Sequence, residues 1–250
     1  MTIYKVKFSK EKLSELPADE CALFLSLAHL SNEIVALDKL IIWSFDFTTD
    51  DEAISNGQSV LTMMLIKILS GKLKEGYDLL TKKFFGTKLS REYEHSLPED
   101  CKDSLVNLKR YFSNRNAINT VRNNYAFHYA PDELKAALPN TPEDLFLYFE
   151  EGQQGNTLNF FADAIANHAL LKSLGYKDDR EAFNQLIKES TDVASWILNI
   201  SSSLMGNFVL RHRSGIIEGD LEEVSFDKNL PLSRNIIIPW FTDNSGSRLP

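Results

Sequence analysis

The sequence predicts an all-α protein: a bundle of about four to six helices, with long antiparallel helices, a loop-rich insertion carrying a short strand, and an irregular C-terminal tail. Three observations predict it. Apolar residues recur every three or four positions over long stretches, beginning with Leu23, Leu27, Leu30, Ile34, Leu37 and Ile41. Strand-like alternation is confined to short segments. Proline and glycine gather in two regions, 131–155 and the tail from 216, and are sparse between them.

In order along the chain, Tyr4, Val6 and Phe8 alternate with polar residues and predict a short strand or extended arm. Pro17 followed by Ala18, Asp19 and Glu20 starts a helix, because proline fits the first turn and acids suit the positive dipole end. That helix is expected over 19–47. Thr48, Thr49 and Asp50 close it and cap the next. The second helix is expected over 51–85, with Val60, Met64, Ile68, Leu79 and Leu80 on its apolar side. Gly57, Gly71 and Gly76 each cost about 1 kcal/mol against alanine in a helix interior. They imply close packing or a break near 71–76. Two long helices joined by a short turn form an antiparallel hairpin.

Residues 86–97 read as a connector. Leu97-Pro98-Glu99-Asp100 opens a third helix reaching 114, and a fourth segment follows over 116–129, ended by Pro131. The insertion, 131–155, contains the strand-like run Leu145 to Phe149. Helical periodicity returns over 156–174, and Gly175 supplies a left-handed cap. The last long helix is expected over 178–213, stopped by Gly215. In the tail, Ile236 to Ile238 and Trp240-Phe241 are too apolar to leave in water, so its middle packs on something, whereas 243–250 is loose. Residues 1–214 thus read as one helical domain, and 215–250 as a partly packed extension.

The composition is that of an ordinary globular protein, 43% hydrophobic and 25% charged over 250 residues. Cys21 and Cys101 form no CxxC pair and no disulfide framework, and Cys21 reads as a buried free thiol. The first residues show no signal-peptide pattern, and no apolar stretch reaches about 20 uninterrupted residues. The expected compartment is the cytoplasm, without membrane contact. A net charge of −8 argues against a general nucleic-acid coat protein, but leaves room for a local basic site.

Such a site is expected within 104–129. The stretch has Lys109, Arg110, Arg115 and Arg122, six asparagines, five aromatics and no acid. Arginine forks suit phosphate, asparagine amides suit bases and sugars, and aromatic faces stack on unpaired bases. The alternative is a polar helix satisfied by acids elsewhere. On one straight helix Arg115, Asn119, Arg122 and Ala126 would share a face. Ile118, Val121, Tyr125 and His128 would share an apolar one, which puts His128 beside core positions. Arg122 and His128, six residues apart, would then diverge, so a common site would need two copies of the chain.

The segment Arg122-Asn123-Asn124-Tyr125-Ala126-Phe127-His128 resembles the HEPN signature, an arginine followed after four to six residues by histidine, commonly with asparagine after the arginine. The resemblance implies a bundle of about four helices and a metal-independent endoribonuclease without cofactors, its site gathered at a homodimer interface. It implies His128 as general acid or base, Arg122 stabilising charge on the phosphorane-like transition state, and Asn123 positioning the phosphate or the histidine. Arg115, Asn119, Asn124 and Tyr125 are expected to contact substrate on residue type alone. The reading is a HEPN-like homodimer that binds or cleaves RNA, as a defence or toxin–antitoxin component with an antitoxin or other protein partner. The competing reading is a non-catalytic helical interaction and dimerisation module. Neither HExxH, a Walker loop, GxGxxG nor GxSxG occurs, and no metal site is expected.

Overall fold

The computed structural model describes residues 3–45, 49–126, 128–129, 131–141, 145–224 and 236–243, apart from the side chain of residue 214. The described chain is mostly helical. It comprises β1 (Ile3–Phe8), α1 (Lys10–Ser14), α2 (Ala18–Ser44), α3 (Glu52–Lys83), α4 (Lys88–Tyr93), α5 (Glu99–Phe112) and α6 (Ala117–Asn124). These are followed by α7 (Pro131–Ala137), β2 (Tyr148–Glu150), β3 (Gln153–Leu158), α8 (Phe160–Ser173), α9 (Asp179–Ile216) and β4 (Ile217–Val224). That is nine α-helices among the described residues, where four to six were expected. The additional ones are short, and a helix of one or two turns leaves little periodicity to read.

The long helices lie within a few residues of their expected spans. By length and hydropathy, α2 and the stretch Asp179–Arg213 of α9 would also suffice to cross a membrane, a test that core helices pass too. The cap of α3 is Asp51, whose Oδ1 accepts the Ile54 N–H at 3.1 Å. Thr48 lies outside the described residues. Of the two outcomes open for the α3 glycines, close packing holds, since α3 runs unbroken. A β-carbon on Gly76 would come within 2.9 Å of Leu30 Cδ2 and 3.2 Å of Ile197 Cδ1. One on Gly57 would meet Trp240 Cβ at 2.6 Å. Gly175 has φ of +81°, the left-handed conformation that closes α8. Gly215 does not stop α9, which continues to Ile216 before β4 begins.

Contacts divide the chain into two compact units. The first takes residues 1–34, 72–115 and 192–231. Its buried apolar residues include Leu27, Ile34, Leu73, Leu80, Phe84, Leu108, Ile197 and Ile200. Tyr77 stacks on Phe112 with centroids 4.2 Å apart, and Phe24 stacks on Phe208 at 4.1 Å. The expected N-terminal strand forms as β1. It pairs antiparallel with β4, Ile3 opposite Val224 and Phe8 opposite Ile217, with an irregularity between Lys5 and Lys7. Part of the tail read as irregular is therefore a strand. Cys101 is a buried free thiol, but Cys21 is only half-buried, because it points off the apolar stripe of α2.

The second unit takes residues 35–71, 116–191 and 232–250. Met63, Ile66, Ala117, Val121, Leu170, Leu171, Ala182 and Leu186 form its core, with Ile41, Tyr125, Leu174, Phe183 and Ile187 against it. The insertion is more ordered than its composition implied. Pro131 opens α7 instead of merely ending a helix, in keeping with proline's fit to a first turn. Tyr148–Glu150 and Gln153–Leu158 form an antiparallel hairpin around Gly152, whose φ is +79°. The middle of the tail packs as expected: Ile238 N–H donates to Trp43 O at 2.9 Å, and Trp240 lies on Gly57.

Candidate functional site

The site residues centre on α6. Asn116 caps this helix, its Oδ1 accepting the Asn119 N–H at 2.8 Å. Glu189 of α9 accepts the Ala117 N–H at 3.0 Å, placing a carboxylate where the dipole favours negative charge. Ala117, Ile118 and Val121 are buried, which fixes the rotation of the helix. Tyr125 lies half-buried at its end, and its hydroxyl donates to Ala169 O at 3.3 Å. Tyr125 therefore serves packing although it lies within the motif segment.

The helix ends sooner than its period implies. Tyr125 N–H and Ala126 N–H both donate to Val121 O, each at 2.9 Å. This wrapped last turn closes α6 at Asn124, five residues before the expected end at 129. Two expectations fall with it. Arg115 precedes the cap and Ala126 follows the last turn, so the four-residue face Arg115–Asn119–Arg122–Ala126 does not form. His128 does not continue the apolar face of Ile118 and Val121; it lies beyond the helix and is exposed, as is Tyr129, at 96%. Phe127, between them, lies outside the described residues.

On the last turn of α6, Arg122 is half-buried, and Asn123 and Asn124 are exposed. Arg122 Nη1 donates to Asn123 Oδ1 at 3.2 Å, so the guanidinium and the amide are neighbours on one surface. Asn119 is half-buried, and its Oδ1 has no hydrogen-bond partner among the described residues. Arg115 is exposed and belongs to the other unit.

The basic stretch 104–129 is thus divided. Its first half serves the first unit. Lys109 Nζ lies 4.3 Å from the Phe85 ring centroid, Arg110 donates to Asn107 Oδ1 at 2.8 Å, and Tyr111 meets Trp196 edge-on. Of the residues predicted to form the site, the structure brings Arg122, Asn123, Asn124 and Tyr125 together at one helix end, with His128 in the segment just past it.

Sequence reading missed two polar groups. In the second unit Lys67 of α3 donates to Asn167 Oδ1 at 3.0 Å. Burial pulls its ammonium below the ordinary lysine range, and burial pushes the Asp163 carboxyl up, with Lys67 acting against that rise. In the first unit, buried Glu20 accepts a hydrogen bond from the Tyr93 hydroxyl, and His212 Nε2 lies 3.1 Å from its Oε1. Burial, then Glu20, raises the Tyr93 phenol. Both groups join helices far apart in sequence, so no local spacing announces them. Among the described residues, no three His, Cys, Asp or Glu side chains cluster so as to hold a metal ion.

No family model matches this chain, and neither a curated protein nor a solved structure matches it.

Proposed function

We propose that the chain is a HEPN-like RNA-binding protein of the cytoplasm that cleaves RNA without a metal, using Arg122, Asn123 and His128 gathered from two copies. One observation carries this reading: His128 stands in an exposed segment just past α6, while Arg122 and Asn123 occupy the last turn of the same helix. A histidine held for packing would be buried against the core. This one is open to solvent, in the chain a few residues past a cation and two exposed amides.

The chemistry asked of it is transesterification. The ribose 2′-oxygen attacks the adjacent phosphorus, forming the P–O2′ bond and breaking P–O5′. One imidazole takes the 2′ proton, and an imidazole of the second copy delivers a proton to the leaving 5′-oxygen. Imidazole is the side chain suited to both transfers near neutral pH. Arg122 stabilises the charge that builds on the non-bridging oxygens. Asn123, in hydrogen-bond contact with Arg122, orients it or the phosphate. Asn119, Asn124 and Tyr125 offer amides and a ring for nucleotides nearby.

The test compares the wild-type protein with His128→Ala and Arg122→Ala on single-stranded RNA of mixed sequence in EDTA. Cleavage to 2′,3′-cyclic phosphate and 5′-hydroxyl ends by the wild type, with at least a hundredfold loss in both variants, is the expected result. RNA left equally intact by all three proteins would refute the catalytic reading and leave the segment a dimerisation element.

A further inference from the structure

The second unit carries an open groove of about 420 Å³ unrelated to the α6 residues. Its apolar surface comes from Leu147, Phe149 and Phe241, with Ala53 of α3 beside them. Leu147 is 51% exposed and Phe149 69%. Leu145 is exposed as well, so the segment running into β2 exposes an apolar side chain at every second position from Leu145 to Phe149. Large apolar side chains grouped this way on a surface mark a contact site.

The groove is held in shape by its own hydrogen bonds. Asn156, 5% exposed, donates to Glu150 and to Thr242 O, and accepts the Thr242 N–H at 3.0 Å. This clamps the tail at Phe241 onto the hairpin. Asn56 donates to the Tyr148 hydroxyl at 3.0 Å and ties the hairpin to α3. A groove fixed before binding spares the occupant an ordering cost.

Charge identifies the occupant. The segments that build the groove, 49–57, 145–158 and 236–243, carry Asp50, Asp51, Glu52, Glu150, Glu151 and Asp243, and no lysine or arginine. Glu150 lines the groove, and the other five acids are exposed within three residues of a lining residue; negative charge so concentrated repels a phosphate backbone and attracts cations. β2 has a strand neighbour on one side only among the described residues.

We propose that this groove binds a short basic segment of a partner protein, with lysines and arginines between aliphatic anchors. The anchors fill the space against Leu147, Phe149 and Phe241, and the basic side chains meet Glu150 and the exposed acids that neighbour the lining residues in the chain. The proposal is independent of nuclease activity, and its test reads peptide binding alone.

The probe is a fluorescein-labelled peptide, Ala-Lys-Leu-Arg-Leu-Lys-Ala, titrated with the full chain and followed by anisotropy. Saturable one-to-one binding that weakens as salt rises is expected. Phe149→Ser and Glu151→Lys, both exposed positions, should each weaken it at least tenfold with unchanged circular dichroism. Val106→Ser, an exposed apolar residue of the other unit, should leave it unchanged. Equal binding of the same peptide with glutamate at its basic positions would overturn the proposal. So would affinity unchanged in both groove variants, or self-association of the chain that Phe149→Ser abolishes, since the occupant would then be a second copy.

Discussion

His128 lies outside the helix to which its neighbours belong, and this alters what a substitution there can report. Because the side chain is exposed and off the core, His128→Ala should leave the unfolding free energy within about 0.5 kcal/mol of wild type, measured by urea titration. A larger loss would return the residue to a packing role. Asp163 gives a second residue-scale prediction. Burial raises its carboxyl above the ordinary 3.8, so the native chain holds that proton more tightly than the unfolded one. Stability from this group is therefore lost as pH rises through the window above 3.8. Asp163→Asn cannot ionise, so its urea midpoint should gain on the wild type as pH is raised from about that value towards neutrality. Parallel pH profiles for the two proteins would contradict the assignment.

Individual elements were legible in the sequence to the extent that their pattern repeated. The helices α2, α3, α5 and α9 carry apolar residues at helical spacing over several turns, and their spans follow. The end of α6 was not legible, because Tyr125 and His128 continue the apolar period on paper while Val121 O gathers both closing N–H groups. The strand β3 was not legible either: Gln153, Gln154, Gly155 and Asn156 have poor strand propensity, and the strand exists because β2 pairs with it. The residue types of the candidate site could be read from the motif, but their exposure depends on where α6 stops. Two substitutions test the elements. Asn116→Ala removes the cap of α6 and should cost about 1 kcal/mol of stability, read from the thermal midpoint. Gly76→Ala places a methyl group against Leu30 and Ile197 and should cost about 1–3 kcal/mol, although alanine is the better helix former. A stabilised Gly76→Ala protein would mean that those side chains yield freely.

At the scale of the whole molecule, protection from hydrogen exchange should follow burial. Amides near Ile66, Leu69 and Leu73 of α3, where side chains are at most 4% exposed, should exchange slowest. Those of β1, exposed at all six positions, should exchange fastest among the described elements. Mass-spectrometric exchange would check the order, and a protected β1 would reveal a cover over that strand. The two units have a practical consequence of another kind. Each is assembled from three separate stretches of chain, so no single cut releases either of them whole. A deletion from the N-terminus first takes one of the three stretches of the first unit, and one from the C-terminus takes one of the second, so each damages a unit without isolating the other. Point substitution, or rejoining the ends and opening the chain elsewhere, is the dissection this connectivity permits.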